Sequence, residues 1–129
     1  MKKLLPISLT LALLLIVGCT DDDDSIIKVF VRSSTNQLVY GAKVIVIGDQ
    51  QSNPPTLEYV DTAYTNSSGF TTFIMEDYFD STNSPIVPPE VSKTTGYFDI
   101  LVKSNDKEAS GYTRCRIKTT SVETIYLPN

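Results

Sequence analysis

From Ser25 onward the chain is written in period two. Ile27, Val29 and Val31 fall on one side of the stretch Ile26 to Arg32. Successive side chains of a strand point to opposite faces, so such alternation specifies a half-buried strand. The pattern returns in Leu38 to Ile47, where Val44 and Val46 face one way and Ile45 and Ile47 the other. A run apolar on both faces predicts a strand covered on both sides or protected by a loop. Tyr97 to Lys103 turns Phe98, Ile100 and Val102 inward. Thr113 to Thr119 places Cys115 and Ile117 opposite Arg114, Arg116 and Lys118. No convincing helical period interrupts these segments.

Turn formers punctuate the strands. Ser33 to Gln37 is a polar break, and Gly48 to Pro55 ends the second strand because proline cannot donate to a ladder. Asn66-Ser67-Ser68-Gly69 separates Leu57–Thr65 from Phe70–Glu76 and predicts a hairpin. A second hairpin is predicted from Gly111–Thr119 and Val122–Leu127. Residues 77–96 hold three prolines and no apolar period, which predicts a long loop, functional or mobile. About seven strands in about 100 residues specify an all-β fold, a seven-stranded antiparallel β-sandwich.

The first 25 residues follow other rules. Lys2 and Lys3 precede an apolar run from Leu4 to Val17. As a helix that run would rise about 21 Å against a hydrocarbon core of about 30 Å, so a processed signal peptide is the stronger reading. Ile16-Val17-Gly18-Cys19 resembles the lipobox of bacterial lipoproteins, which implies cleavage before Cys19 and lipidation of its thiol. Two or three acyl chains, at about 0.8 kcal/mol per buried CH₂, make such an anchor durable. Four consecutive aspartates repel one another and demand water, so Asp21, Asp22, Asp23 and Asp24 form a solvated spacer. With Thr20 they resemble the acidic export signal of Bacteroidota surface lipoproteins. That resemblance implies the outer membrane and a domain facing the cell exterior, the alternative being a periplasm-facing lipoprotein. The expected organisation is a signal peptide over 1–18, a lipidated cysteine and acidic tether over 19–25, and one domain over 26–129.

Within that domain, Gly41-Ala42-Lys43-Val44-Ile45-Val46, Thr65 to Phe73, Gly96-Tyr97-Phe98-Asp99-Ile100-Leu101-Val102 and Ile125-Tyr126-Leu127 follow one another in order. The series resembles carboxypeptidase regulatory-like domains, which have the transthyretin-like (prealbumin-like) Greek-key sandwich. Asn66, where an aspartate is commoner, and the insertion over 77–96 depart from that pattern. The resemblance implies a module for support, docking or adhesion.

Composition excludes more than it assigns. The net charge is −4, and the folded part offers no basic patch for nucleic acid. The chain has no histidine, which removes Ser-His and Cys-His catalysis and the commonest metal ligand. Hydroxyisourate hydrolases resembling transthyretin need histidines, and intradiol dioxygenases of similar architecture bind iron through histidine and tyrosine. Neither chemistry can be assembled from these residues, and no cofactor or metal is expected. With Cys19 lipidated, Cys115 has no partner in the chain and reads as a small core residue. Glu76, Asp77 and Asp80 read as solvated loop charges. Tyr78, Phe79 and Tyr97 bracket the 77–96 insertion and are the candidate contacts for a partner, either an envelope protein or a glycan. The expected function is therefore that of a non-enzymatic, lipid-anchored accessory module. The alternative is a structural subunit that assembles by β-strand addition.

Overall fold

The computed structural model describes residues 23–129. The expected signal peptide over 1–18 and Cys19, Thr20, Asp21 and Asp22 lie outside the described residues. The elements are β1 (Ile26–Arg32), β2 (Lys43–Gly48), β3 (Val60–Tyr64), β4 (Phe70–Ile74), a helix α1 (Glu76–Thr82), β5 (Thr95–Ser104), β6 (Lys107–Arg116) and β7 (Thr120–Tyr126). They form two sheets, one of three strands in the order β4-β1-β7 and one of four in the order β3-β2-β5-β6.

The inward residues of each sheet make the core. Ile27, Val29 and Val31 of β1 are fully buried, as are Val44 and Val46 of β2 and Phe98 and Val102 of β5. Phe73, Met75, Ile100, Cys115, Ile125 and Leu127 join the same cluster. Each such aliphatic side chain contributes about 1.5–3 kcal/mol by leaving water, so the alternation seen in the sequence is what holds the sheets together.

Three features differ from the sequence reading. First, the turn at Asn66–Gly69 forms where expected: Gly69 takes φ +75°, and the Asn66 carboxamide oxygen accepts the Ser68 and Phe70 N–H groups at 2.9 and 3.2 Å. The strands on either side then part, β3 joining β2 and β4 joining β1. The link between β6 and β7 likewise crosses between sheets, with Lys118 at φ 60°. β7 lies parallel to β1, from Ile26↔Thr120 to Arg32↔Tyr126. The remaining pairings are antiparallel.

Second, β5 and β6, ten residues each, make a long hairpin about Asn105-Asp106, a pairing the sequence reading did not anticipate. Asn105 at φ 54° supplies the turn, a conformation asparagine tolerates better than most residues. Third, the supposed loop begins with α1. Seven residues are too few for an independent helix. Tertiary burial of Tyr78, Phe79 and Thr82 holds this one in place.

The boundary of the domain also moves by one residue. Ser25, assigned to the tether, is buried. Its N–H donates to Glu76 Oε1 at 2.6 Å, its carbonyl accepts the Met75 N–H at 2.8 Å, and its Oγ accepts the Lys118 N–H at 2.7 Å. Glu76 is thus a structural clasp rather than a free loop charge, while Asp77 and Asp80 are exposed.

Candidate binding face

Two of the three aromatic candidates are not available to a partner. Tyr78 and Phe79 are 1% and 2% exposed. Tyr78 meets Phe98, Phe79 and Tyr59 edge-on with ring centroids 5.2, 5.2 and 5.7 Å away. Its phenol oxygen accepts the Leu57 N–H at 3.2 Å, and burial raises its pKa above the usual tyrosine value. The helix turns both rings inward to cover the end of the core, which corrects the expectation that they contact a partner. Past α1, the segment is ordered by turns in which the Val87 N–H bonds Ser84 O and the Val91 N–H bonds Pro88 O.

Tyr97 has the opposite fate. It lies on β5 among the residues that alternate outward, and so reaches the outer face of the four-stranded sheet. Register places Asp99 opposite Tyr112, Tyr97 opposite Arg114, Leu101 opposite Ile45, and Ile47 between Asp99 and Val60. Ile45, Ile47 and Leu101 are only half-buried, and Val60 is 65% exposed. The expected cover over the outward side of β2 is therefore absent among the described residues. The result is an open, partly apolar sheet face.

Polar chemistry gathers at one end of this face. The rings of Tyr97 and Tyr112 stack with centroids 6.3 Å apart and planes 23° from parallel. Tyr112 donates its hydroxyl to Asp49 Oδ2 at 2.7 Å, and Asp49 Oδ1 accepts the Gln51 N–H at 3.0 Å. The Asp49 N–H in turn donates to the Tyr97 carbonyl at 2.9 Å, and the Tyr97 N–H to Thr56 Oγ1 at 2.8 Å. The loop after β2 is thereby fastened to β5, and the tyrosine pair sits on a braced edge. Desolvation, followed by the hydrogen bond to the Asp49 carboxylate and its charge, pushes the Tyr112 phenol up to about 12.

Neither Asp99 nor Arg114 forms an ion pair among the described residues, where Lys103–Glu108 at 3.6 Å is the pair present. A carboxylate and a guanidinium thus flank the two rings with their hydrogen-bonding capacity free for a ligand. Tyr112 was missed in the sequence reading. The alternation that put Arg114 and Arg116 on one face also puts Tyr112 there, and that signal could have found it.

Cys115 is fully buried on the other side of β6, and burial raises its thiol to about 11, which keeps it protonated and inert. Among the described residues no three of His, Cys, Asp and Glu gather as metal ligands, and no helix is long and apolar enough to cross a membrane. Asp23 and Asp24 are exposed beside Lys118 and Thr119, at the mouth of an open crevice of about 450 Å³.

No family model matches this chain, and no curated protein matches it. Similar solved structures include chlorocatechol 1,2-dioxygenase from Pseudomonas putida, at 14% identity and a TM-score of 0.47, covering 87% of this chain and 63% of that one. They also include a mutant of the catechol 1,2-dioxygenase of Acinetobacter radioresistens, at 11% identity and a TM-score of 0.47, covering 84% of this chain and 53% of that one. This chain spans less than two thirds of either protein's length.

Proposed function

We propose that the chain is a non-enzymatic accessory module of the cell envelope, anchored through a lipidated Cys19 and binding a protein or glycan partner. Its sandwich is of the transthyretin-like Greek-key type found in carboxypeptidase regulatory-like domains. The Thr20–Asp24 signal carries it to the outer membrane, facing the exterior. The partner seat is the outer face of the four-stranded sheet, and not the 77–96 segment. The observation that carries this reading is the Tyr97–Tyr112 pair, braced by Asp49 on an uncovered sheet face. Paired aromatics combine apolar area with polar tips, and rigid placement lowers the ordering cost of binding.

The anchor is tested by metabolic palmitate labelling, which Cys19→Ser abolishes. Exposure is tested by protease shaving of intact cells, with Asp21 to Asp24 replaced by alanine as the internal-facing comparison. The binding face is tested with the full-length tagged chain cross-linked in intact cells. Recovery of a partner is lost with Tyr97→Ser plus Tyr112→Ser and kept with Pro88→Ser plus Pro89→Ser. The opposite pattern returns the binding role to the 77–96 segment.

A further inference from the structure

The partner-binding reading leaves the other sheet unused, and its outer face has a composition of its own. The outward residues of β1, β4 and β7 include Ile26, Phe30, Phe70, Ile74, Val122 and Tyr126. Ile74, Val122 and Tyr126 are 61%, 54% and 56% exposed. The charges on this face are Lys28 and Arg32. No outward position of the three strands is acidic, in a chain where Asp and Glu number 15 against 11 Lys and Arg. Glu123, the one acid in these strands, lies on the inward side of β7 opposite Val29. The outward side of the four-stranded sheet, by contrast, mixes signs, with Asp99 and Glu108 among Lys43, Lys103, Arg114 and Arg116.

Lys28 is also placed in a particular way. Its Nζ stands 4.2 Å above the Phe70 ring and 5.0 Å above the Phe30 ring. The ammonium group thus rests on aromatic faces, a cation–π placement that sets a positive charge directly on the apolar patch.

The position of the face completes the argument. Residues 20 to 25 separate Cys19 from the first residue of β1. Even fully extended, they reach about 20 Å. A domain held at Cys19 by acyl chains therefore cannot stand clear of the bilayer by more than about its own thickness. The strand joined to the tether is the centre of this sheet.

We propose that the outer face of the three-stranded sheet docks on the lipid bilayer surface. Its isoleucines, valine and aromatics enter the boundary between headgroups and acyl chains, and Lys28 and Arg32 meet lipid phosphates. The opposite face, with Tyr97 and Tyr112, then points away from the membrane toward partners. The inference rests on the anchored reading given above, and two arms separate the failure of each.

In the first arm, the lipidated full chain is reconstituted in vesicles of phosphatidylethanolamine with a minority of phosphatidylglycerol. A fluorophore on Val122→Cys is quenched by lipid-borne nitroxides, and one on Tyr112→Cys is not. Cys115 is buried and stays unlabelled. Equal quenching at the two positions overturns the proposal. In the second arm, the chain from residue 19 with Cys19→Ser is sedimented with the same vesicles. The core lies between Ile27 and Leu127, so this chain keeps every core residue. Binding falls to background with Val122→Glu, falls about fivefold with Lys28→Gln, and is unchanged with Ser110→Ala on the opposite sheet. Sedimentation that ignores Val122→Glu overturns the docking face. An unlabelled Cys19 in cells, with vesicle binding intact, overturns the anchor and leaves the face standing.

Discussion

Tyr78 offers the sharpest test of where the aromatic residues act. Its ring is 1% exposed and touches Tyr59, Phe79 and Phe98, so truncation to alanine opens a large cavity at the end of the core. Aromatic-to-alanine changes of this kind cost about 3–5 kcal/mol. A domain of this size has a total stability of about 5–15 kcal/mol, so Tyr78→Ala removes a large fraction of it. With a urea m-value of about 1.5 kcal/mol/M, the unfolding midpoint falls by roughly 2–3 M. Tyr78→Phe keeps the packing and removes only the hydroxyl that accepts the Leu57 N–H, a loss of about 0.5–1.5 kcal/mol. Urea titration followed by far-ultraviolet circular dichroism reads both variants on one scale. If Tyr78→Ala unfolds at the wild-type midpoint, the ring is not in the core. The inward assignment of α1 then fails, and with it the exclusion of Tyr78 from partner binding.

Other consequences can be checked on the same protein. Gly96→Ala would put a Cβ 2.8 Å from the Phe98 ring and 3.0 Å from Tyr78, so it destabilises by about 1–3 kcal/mol, read as a lowered urea midpoint. Native Cys115 resists a thiol reagent at pH 8 and reacts only at the rate of unfolding, which a thiol-release assay with and without urea distinguishes; rapid labelling of the native chain contradicts its burial. Folding raises the thiol to about 11 from 9.0, and the Tyr59 phenol to about 12 from 10.0 by desolvation and the nearby Asp61 charge. The folded state therefore holds these protons longer than the unfolded one. The stability they contribute is complete below pH 9 and is lost as pH rises from about 9 to 12. A midpoint that stays level across that range refutes the burial of both groups. Ultraviolet titration places Tyr112 near 12, and Asp49→Asn lowers it toward 10.

Much of the fold was legible in the residues. Alternation assigned the inward side of β1 and β5 correctly, because a strand's side-chain period is a local property of two residues; β2, apolar on both faces, left that choice to the tertiary structure. The tight turn at Asn66–Gly69 was legible for the same reason, since its chemistry lies within five residues. Strand partners were not legible there. A tight turn joins two strands either in one sheet or across two, and the choice depends on which neighbour offers a free edge. β4 found β1 and β7 found β1 on its other side, so two predicted hairpins became crossovers.

The candidate site divides along the same line. Tyr97 followed the strand period and came out where its neighbours required. Tyr78 and Phe79 fell in a segment with no long apolar period, and their direction was set by a helix of one to two turns that exists because the core needed a lid. The sequence by itself determined that the chain would be β-rich, which residues of β1 and β5 would face inward, and that an acidic run would separate Cys19 from the domain. The tertiary structure alone decided which strands share a sheet and that β7 runs parallel to β1. It also decided that the stacked tyrosines stand on an uncovered face while the helix aromatics seal the core. Those decisions rest on contacts between residues tens of positions apart, and no local pattern encodes them.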